Sequence, residues 1–106
     1  LSDEVYQYAI GYKTILQVME SGAPKNLTGY TILKIIFKKP SGALMTKDGT
    51  IEVAANGTFS YTTTTTDDLD EAGNYCCEGY VEMGGGSKYY TSIPDFPVRA
   101  VLQKVV

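Results

Sequence analysis

The reactive and ligating side chains of this chain crowd into one short stretch, Asp67 to Cys77. Asp67, Asp68, Asp70 and Glu71 form its densest carboxylate cluster, and Cys76-Cys77 are its only thiols. Hard carboxylate oxygens suit calcium, but a twelve-residue calcium loop needs a glycine and a terminal glutamate at places where this stretch has neither. The simpler reading is a solvated turn that caps itself. Adjacent cysteines suit neither a disulfide framework nor a zinc site. A bridge between neighbours would close a strained ring, so both thiols are expected to stay reduced. On a strand the two have opposite parity. Cys77 is expected in the core as a small hydrophobe and Cys76 on the other side, with nothing basic nearby in sequence to lower its pKa.

Histidine is absent, which removes Ser-His and Cys-His pairs, a histidine general base and a histidine metal site. Gly84-Gly85-Gly86 lies between strand-like runs, with no helix after it to offer an N-terminus to a phosphate. Asn26-Leu27-Thr28 and Asn56-Gly57-Thr58 match the glycosylation sequon, and without a secretory route they read as turn residues. No catalytic, cofactor-binding or metal residue is assigned. The chain is read as a non-enzyme that needs no cofactor.

Composition sets the frame that these residues sit in. At 106 residues the chain supports one domain. Scaling with mass gives roughly 65% of the unfolded surface buried on folding, enough for a core without metal or disulfide. An apolar share of 43% with 20% charged residues argues against disorder. The net charge of −3 draws the chain to neither nucleic acid nor anionic lipid, so neither is expected as a partner. No apolar run approaches the ~20 residues that cross a bilayer, and no signal-peptide pattern is visible. If the chain acts outside a cell, a route other than secretion is expected to have put it there.

The hydrophobic period is two. Val5 to Ile10 alternates, with Tyr6, Tyr8 and Ile10 on one face, and Thr14, Leu16 and Val18 alternate with Ile15, Gln17 and Met19. Thr31 to Lys38 is the strongest strand: Leu33, Ile35 and Phe37 point one way, Lys34 and Lys38 the other. Asp48-Gly49 and Asn56-Gly57 each supply the positive φ of a tight two-residue hairpin. Thr62 to Thr66 reads as a strand end, and Asp68 to Glu71 has the spacing of a short capped helical turn between sheets. Asn74 to Met83 turns through the three glycines into Lys88 to Ser92. Pro94 and Pro97 around Phe96 suit an edge or a bulge. Val98 to Val105 closes the chain as a final strand or tail.

Glu71-Ala72-Gly73-Asn74-Tyr75-Cys76-Cys77 then gains a second meaning. An acidic-Gly-x-Tyr-x-Cys run matches the bend entering the next-to-last strand of an immunoglobulin-like sandwich, with tyrosine at the corner and a small core residue two positions on. The expected fold is all-β, an immunoglobulin-like antiparallel β-sandwich of about 7–9 strands. It is one domain over 1–106, and the inter-sheet disulfide of secreted relatives cannot form within it.

Leu27-Thr28-Gly29 followed by a strand ending Lys38-Lys39-Pro40-Ser41-Gly42 resembles the N-terminal domain family of phage baseplate upper proteins. So does the later order Ala55-Asn56-Gly57-Thr58-Phe59-Ser60-Tyr61-Thr62, then Asp70-Glu71-Ala72-Gly73. The likeness extends to small single-domain tailed-phage proteins and covers roughly Ile10 to Val98. It implies a structural, non-enzymatic virion component, in a baseplate, neck, tail decoration or capsid surface. The expected partners are other virion proteins and copies of itself. The resemblance carries no catalytic residue, and the chain departs from the family pattern before Ile10 and after Val98.

Nine tyrosines exceed what one core of this size can hold, so several are expected at the surface, where tyrosine offers contact area and a hydroxyl at little entropic cost. The candidate interface is Tyr6, Tyr8, Tyr80, Tyr90, Val101, Leu102 and Val105. The end segments 1–9 and 100–106 read either as arms that dock on a neighbour or as this chain's own first and last strands. Two functions remain open: a virion assembly module, or an adhesive domain that binds a host-surface carbohydrate or protein.

Overall fold

Alternation becomes strand almost everywhere in the computed structural model, which describes residues 4–105. The strands are β1 (Val5–Tyr6), β2 (Lys13–Gln17), β3 (Met19–Glu20), β4 (Ala23–Pro24) and β5 (Tyr30–Lys38). They continue with β6 (Leu44–Asp48), β7 (Thr50–Val53), β8 (Thr58–Thr62), β9 (Gly73–Met83) and β10 (Lys88–Arg99). Among the described residues the only helical element is a single 3-10 turn, Ala54–Asn56. A five-stranded sheet in the order β1-β10-β9-β5-β6 packs on a three-stranded sheet, β2-β8-β7, while β3 and β4 form a small hairpin. The fold is an all-β sandwich. Without that hairpin, eight strands remain.

The core lies between the two sheets. Leu33, Ile35 and Phe37 of β5 and Tyr75, Cys77 and Val81 of β9 face inward, opposite Leu16 of β2 and Phe59 of β8. Burying side chains of this size stabilises by roughly 1.5–3 kcal/mol each. Leu27 and Leu69 are fully buried from connecting segments, where no strand periodicity points to them. At Gly79 the sheets approach so closely that a Cβ would stand 2.5 Å from Phe59 Cζ and 3.0 Å from Leu16 Cδ2.

Two glycines work differently from the hairpin expectation. Asp48-Gly49 is no hairpin, because β6 belongs to one sheet and β7 to the other, and the chain crosses the sandwich there. Gly49 donates its N–H to Leu33 O at 3.0 Å, and a Cβ would press on Leu33 Cγ at 3.1 Å and Phe59 Cδ2 at 3.2 Å. Its role is close approach to the core. Asn56-Gly57 does lie in the β7–β8 hairpin, with Gly57 at φ 70°, but the connection is longer than two residues and contains the 3-10 turn.

Two further expectations need correction. Asp68 to Glu71 forms no helix; residues 66–69 make a turn, and Asp68 is buried rather than solvated. The alternation from Val5 to Ile10 ends as strand at Tyr6, since Tyr8 adopts φ 65° and redirects the backbone. Tyr6, Tyr8 and Ile10 therefore do not line one strand face. Of the two readings of Val98 to Val105, final strand or tail, the structure shows the tail: Val98 and Arg99 finish β10, and residues 100–105 have no strand. The bulge expected around Phe96 is present, as the β9–β10 register shifts between Ile93 and Phe96.

β1 runs parallel to β10, pairing Val5 with Val98 and Tyr6 with Arg99. Val5 is buried by that pairing. Of the two end segments, Leu1, Ser2, Asp3 and Val106 lie outside the described residues.

Candidate interaction surface

The bend before β9 brings together the chain's reactive groups. Glu71 donates its N–H to Tyr75 Oη at 3.2 Å, locking the tyrosine into the corner. The Tyr75 ring stacks on Phe96 with centroids 5.7 Å apart. Strand parity then separates the thiols, both free: Cys77 is buried and Cys76 half-buried on the opposite face. Burial pushes the Cys77 thiol up to about 12. A hydrogen bond with Asp95 raises Cys76 as well. Reactive cysteines need the reverse shift.

The four carboxylates do not converge. Asp68 turns inward and accepts from Tyr61 Oη at 2.6 Å, Thr64 N at 2.9 Å and Thr65 Oγ1 at 3.2 Å, with Lys47 Nζ at 3.3 Å. Burial works to raise its pKa, yet these donors together hold it below the usual carboxylate value. Asp70 pairs with Lys39 at 2.7 Å, while Glu71 takes the N–H and hydroxyl of Ser41, each at 2.9 Å. Lys39 also donates to Asp67 O at 2.8 Å. The cluster is a clasp that ties the bend to β6 and to the β5–β6 connection. Asn26 likewise acts as a turn residue, its side chain accepting from Thr28 N at 2.9 Å.

The seven candidate interface residues divide into two places. Tyr80 and Tyr90 sit side by side on the outward face of the five-stranded sheet, ring centroids 5.0 Å apart, with Tyr90 71% exposed. Tyr6 lies nine residues farther along β10, where its register partner is Arg99, about 30 Å away by strand rise. Its hydroxyl donates to Glu4 at 2.9 Å and its ring lies against the Arg99 guanidinium at 5.7 Å. Half-buried Tyr8 has Lys104 Nζ over its ring at 5.0 Å. Tyr8, Val101 and Val105 line one shallow hollow with Ile10. Val101 is half-buried and gives its N–H to Gln7 Oε1 at 3.1 Å, whereas Leu102 is fully open to solvent and Val105 is mostly so.

Sequence reasoning passed over the rest of the outward face around the tyrosine pair. Ile32 and Leu44 are exposed there, and Ile36 is half-buried between them. Lys34 and Lys38, assigned to the face opposite the core, were the available signal. Reading the same parity across β6 would have added Leu44. Compared with known proteins, the chain matches no family model and no curated protein.

Proposed function

We propose that this chain is an immunoglobulin-like, non-enzymatic structural module of a tailed-phage virion, working by protein–protein assembly in a baseplate, neck, tail or capsid surface. Three features support the immunoglobulin-like part: the parallel β1–β10 pairing beside an otherwise antiparallel sheet, the corner tyrosine with its backbone hydrogen bond, and the inward Cys77 two residues later. The virion part rests on the resemblance of the turn segments Leu27-Thr28-Gly29, Lys38 to Gly42 and Asn56 to Thr62 to baseplate upper proteins.

The observation that carries assembly is uncovered apolar surface. Tyr90 and Leu44 are about 70% exposed on one sheet face, and Leu102 and Val105 more so beyond β10. Apolar groups clustered in the open mark contact sites. The test is the composition of the purified particle. A copy number fixed relative to a ring or lattice protein, retained through washing, supports the reading. Absence from washed particles sinks it. Binding of the isolated domain to host cells or glycans, without an ordered place in the particle, selects the adhesive alternative.

A further inference from the structure

The strand edges of this sandwich are finished in different ways. β1 has only two residues. Beyond its pairing with β1, β10 carries Pro94 and Pro97 around the register shift between Ile93 and Phe96. On the other sheet, β7 is interrupted by a register shift between Ile51 and Val53, and on β2 Gln17 O already accepts the Thr91 hydroxyl at 2.7 Å. Prolines and bulges are how native edges turn away a further strand. β6 has neither. All five of its residues pair with β5 in unbroken register.

The hydrogen bonds at the two ends of this ladder show what β6 offers. Lys39 donates its N–H to Ala43 O at 2.8 Å, and Gly49 donates to Leu33 O at 3.0 Å. Hydrogen-bonded pairs alternate along an antiparallel ladder, so Met45 and Lys47 also turn their backbone groups to β5. Leu44, Thr46 and Asp48 turn theirs away. Among the described residues no hydrogen bond reaches those N–H and C=O groups, and β6 has no neighbour but β5. We propose that β6 pairs antiparallel with β6 of a second copy, about a two-fold axis that passes through Thr46 perpendicular to the sheet. The proposal rests on the self-assembly part of the function above and names the edge that performs it.

The order Leu44-Met45-Thr46-Lys47-Asp48 is what selects a second copy as the occupant. With Thr46 set on the second copy's Thr46, the open backbone groups of Leu44 meet those of the second copy's Asp48. Every such contact occurs twice, as a two-fold requires. Thr46 is exposed, and threonine on threonine is a favourable cross-strand pair. On the outward face Asp48 lies beside the second copy's Leu44, whose own β5 neighbour is Lys38. Lys38 is exposed and has no ion-pair partner among the described residues, and it would stand two strands, ~10 Å, from that carboxylate. On the inward face Lys47 meets the second copy's Met45, while its ammonium stays on its own Asp68 at 3.3 Å. Neighbouring registers are worse. Thr46 on Asp48 would set Lys47 against Lys47, and Thr46 on Leu44 would push Asp48 beyond the strand, against Gly42. The axis leaves both outward faces on one side, so two five-stranded sheets become one continuous surface for other proteins. Five residues span only ~17 Å of edge, well short of the ~800 Å² per partner of a standard interface. The expected dimer is weak and reversible, half-formed at about 100 μM.

Sedimentation and backbone amide exchange of the parent chain, from micromolar to millimolar concentration, read this directly. The Leu44, Thr46 and Asp48 amides should exchange fast when dilute and slow down as dimer forms. The Met45 and Lys47 amides should be protected throughout. A parent that stays monomeric overturns the proposal, and particle composition then decides separately whether the virion reading survives. A dimer that leaves those three amides unprotected also overturns it, placing self-association elsewhere on the chain. Thr46→Pro removes an outward N–H and no bond to β5, and should weaken dimerisation at least about tenfold. Thr46→Lys and Thr46→Glu each set like charges face to face on the axis and should weaken it about fivefold. An equimolar mixture of the last two should recover the dimer, because lysine then faces glutamate. Lysine and glutamate variants that each dimerise like the parent, or a mixture that fails to recover, overturn the pairing. Thr46 is exposed, so the melting temperatures of these two variants should match the parent and report that folding is intact.

Discussion

Asp68 shows how much a single side chain contributes to this fold. A carboxylate inside the sandwich is tolerated because two protein hydroxyls, a backbone N–H and the Lys47 ammonium surround it. Its pKa lies below the usual value, so its contribution is present above the unfolded-state pKa of ~3.9 and is lost as pH falls through the lower folded-state value. Exposed Glu20 and Glu52 and half-buried Glu82 are depressed too, by hydrogen bonds to Tyr89, Lys13 and Lys88 first of all, but these pairs lie at the surface, where solvent screens them. We expect Asp68→Asn to cost about 1–3 kcal/mol at pH 7 and to flatten the loss of stability below pH ~4. Thermal melts at several pH values check this. Equal melts and equal pH slopes for variant and parent would show that the network contributes nothing. The burial of Asp68 was not legible in the sequence, because a carboxylate among threonines and other acids looks like a solvated turn. Its neighbour Leu69 was hidden for the same reason. Cys77 and Tyr75 were legible, since the corner pattern and strand parity both bear on them.

At the level of elements, β2, β5 and β9 announced themselves by alternation, because each has one face in the core and one outside. The passage from β6 to β7 did not. An Asp-Gly pair signals a tight turn locally, but the sheet that the next strand joins is decided by distant partners, here β8 instead of β6. Gly79 is a similar case: the sequence places it on the inward face of β9, and only the opposing sheet shows why it must be glycine. With Phe59 Cζ 2.5 Å from where a Cβ would stand, Gly79→Ala forces the sheets or the ring to shift. The expected cost is about 1–3 kcal/mol, the range for overpacking a filled core. Gly85→Ala serves as the comparison, since nothing lies within 4 Å of that position. Denaturant titration of both variants tests the idea. Phe59→Leu added to Gly79→Ala should return part of the alanine penalty, because it removes the ring the new methyl strikes. A Gly79→Ala protein as stable as the parent would mean that the two sheets are not held at this spacing.

Over the whole molecule, the two ends of the chain meet at the same place but are tied in differently. Val5 and Tyr6 pair in parallel with Val98 and Arg99, and Gln7 extends the join by donating its N–H to Arg99 O at 2.8 Å and its side-chain amide to Asp70 O at 3.1 Å. Residues 102–105 make no strand, and Leu102 and Val105 are almost wholly exposed. Alternation in the sequence could not separate these cases, because both ends carry apolar residues and only a partner strand decides which are covered. Removing 1–5 should therefore lower the melting temperature, since Val5 alone stabilises by roughly 1.5–3 kcal/mol when buried. Removing 102–106 should leave stability within about 0.5 kcal/mol of the parent, as for surface changes away from special features. If the exposed residues serve assembly, the second truncation should lose incorporation into particles while its melt is unchanged. Melting curves and particle composition, measured on the same two truncations, give the answer. A collapsed melt for the 102–106 truncation would place Leu102 to Val105 in this chain's own fold. An unchanged melt with full incorporation would instead leave the outward sheet face as the surface on which assembly depends.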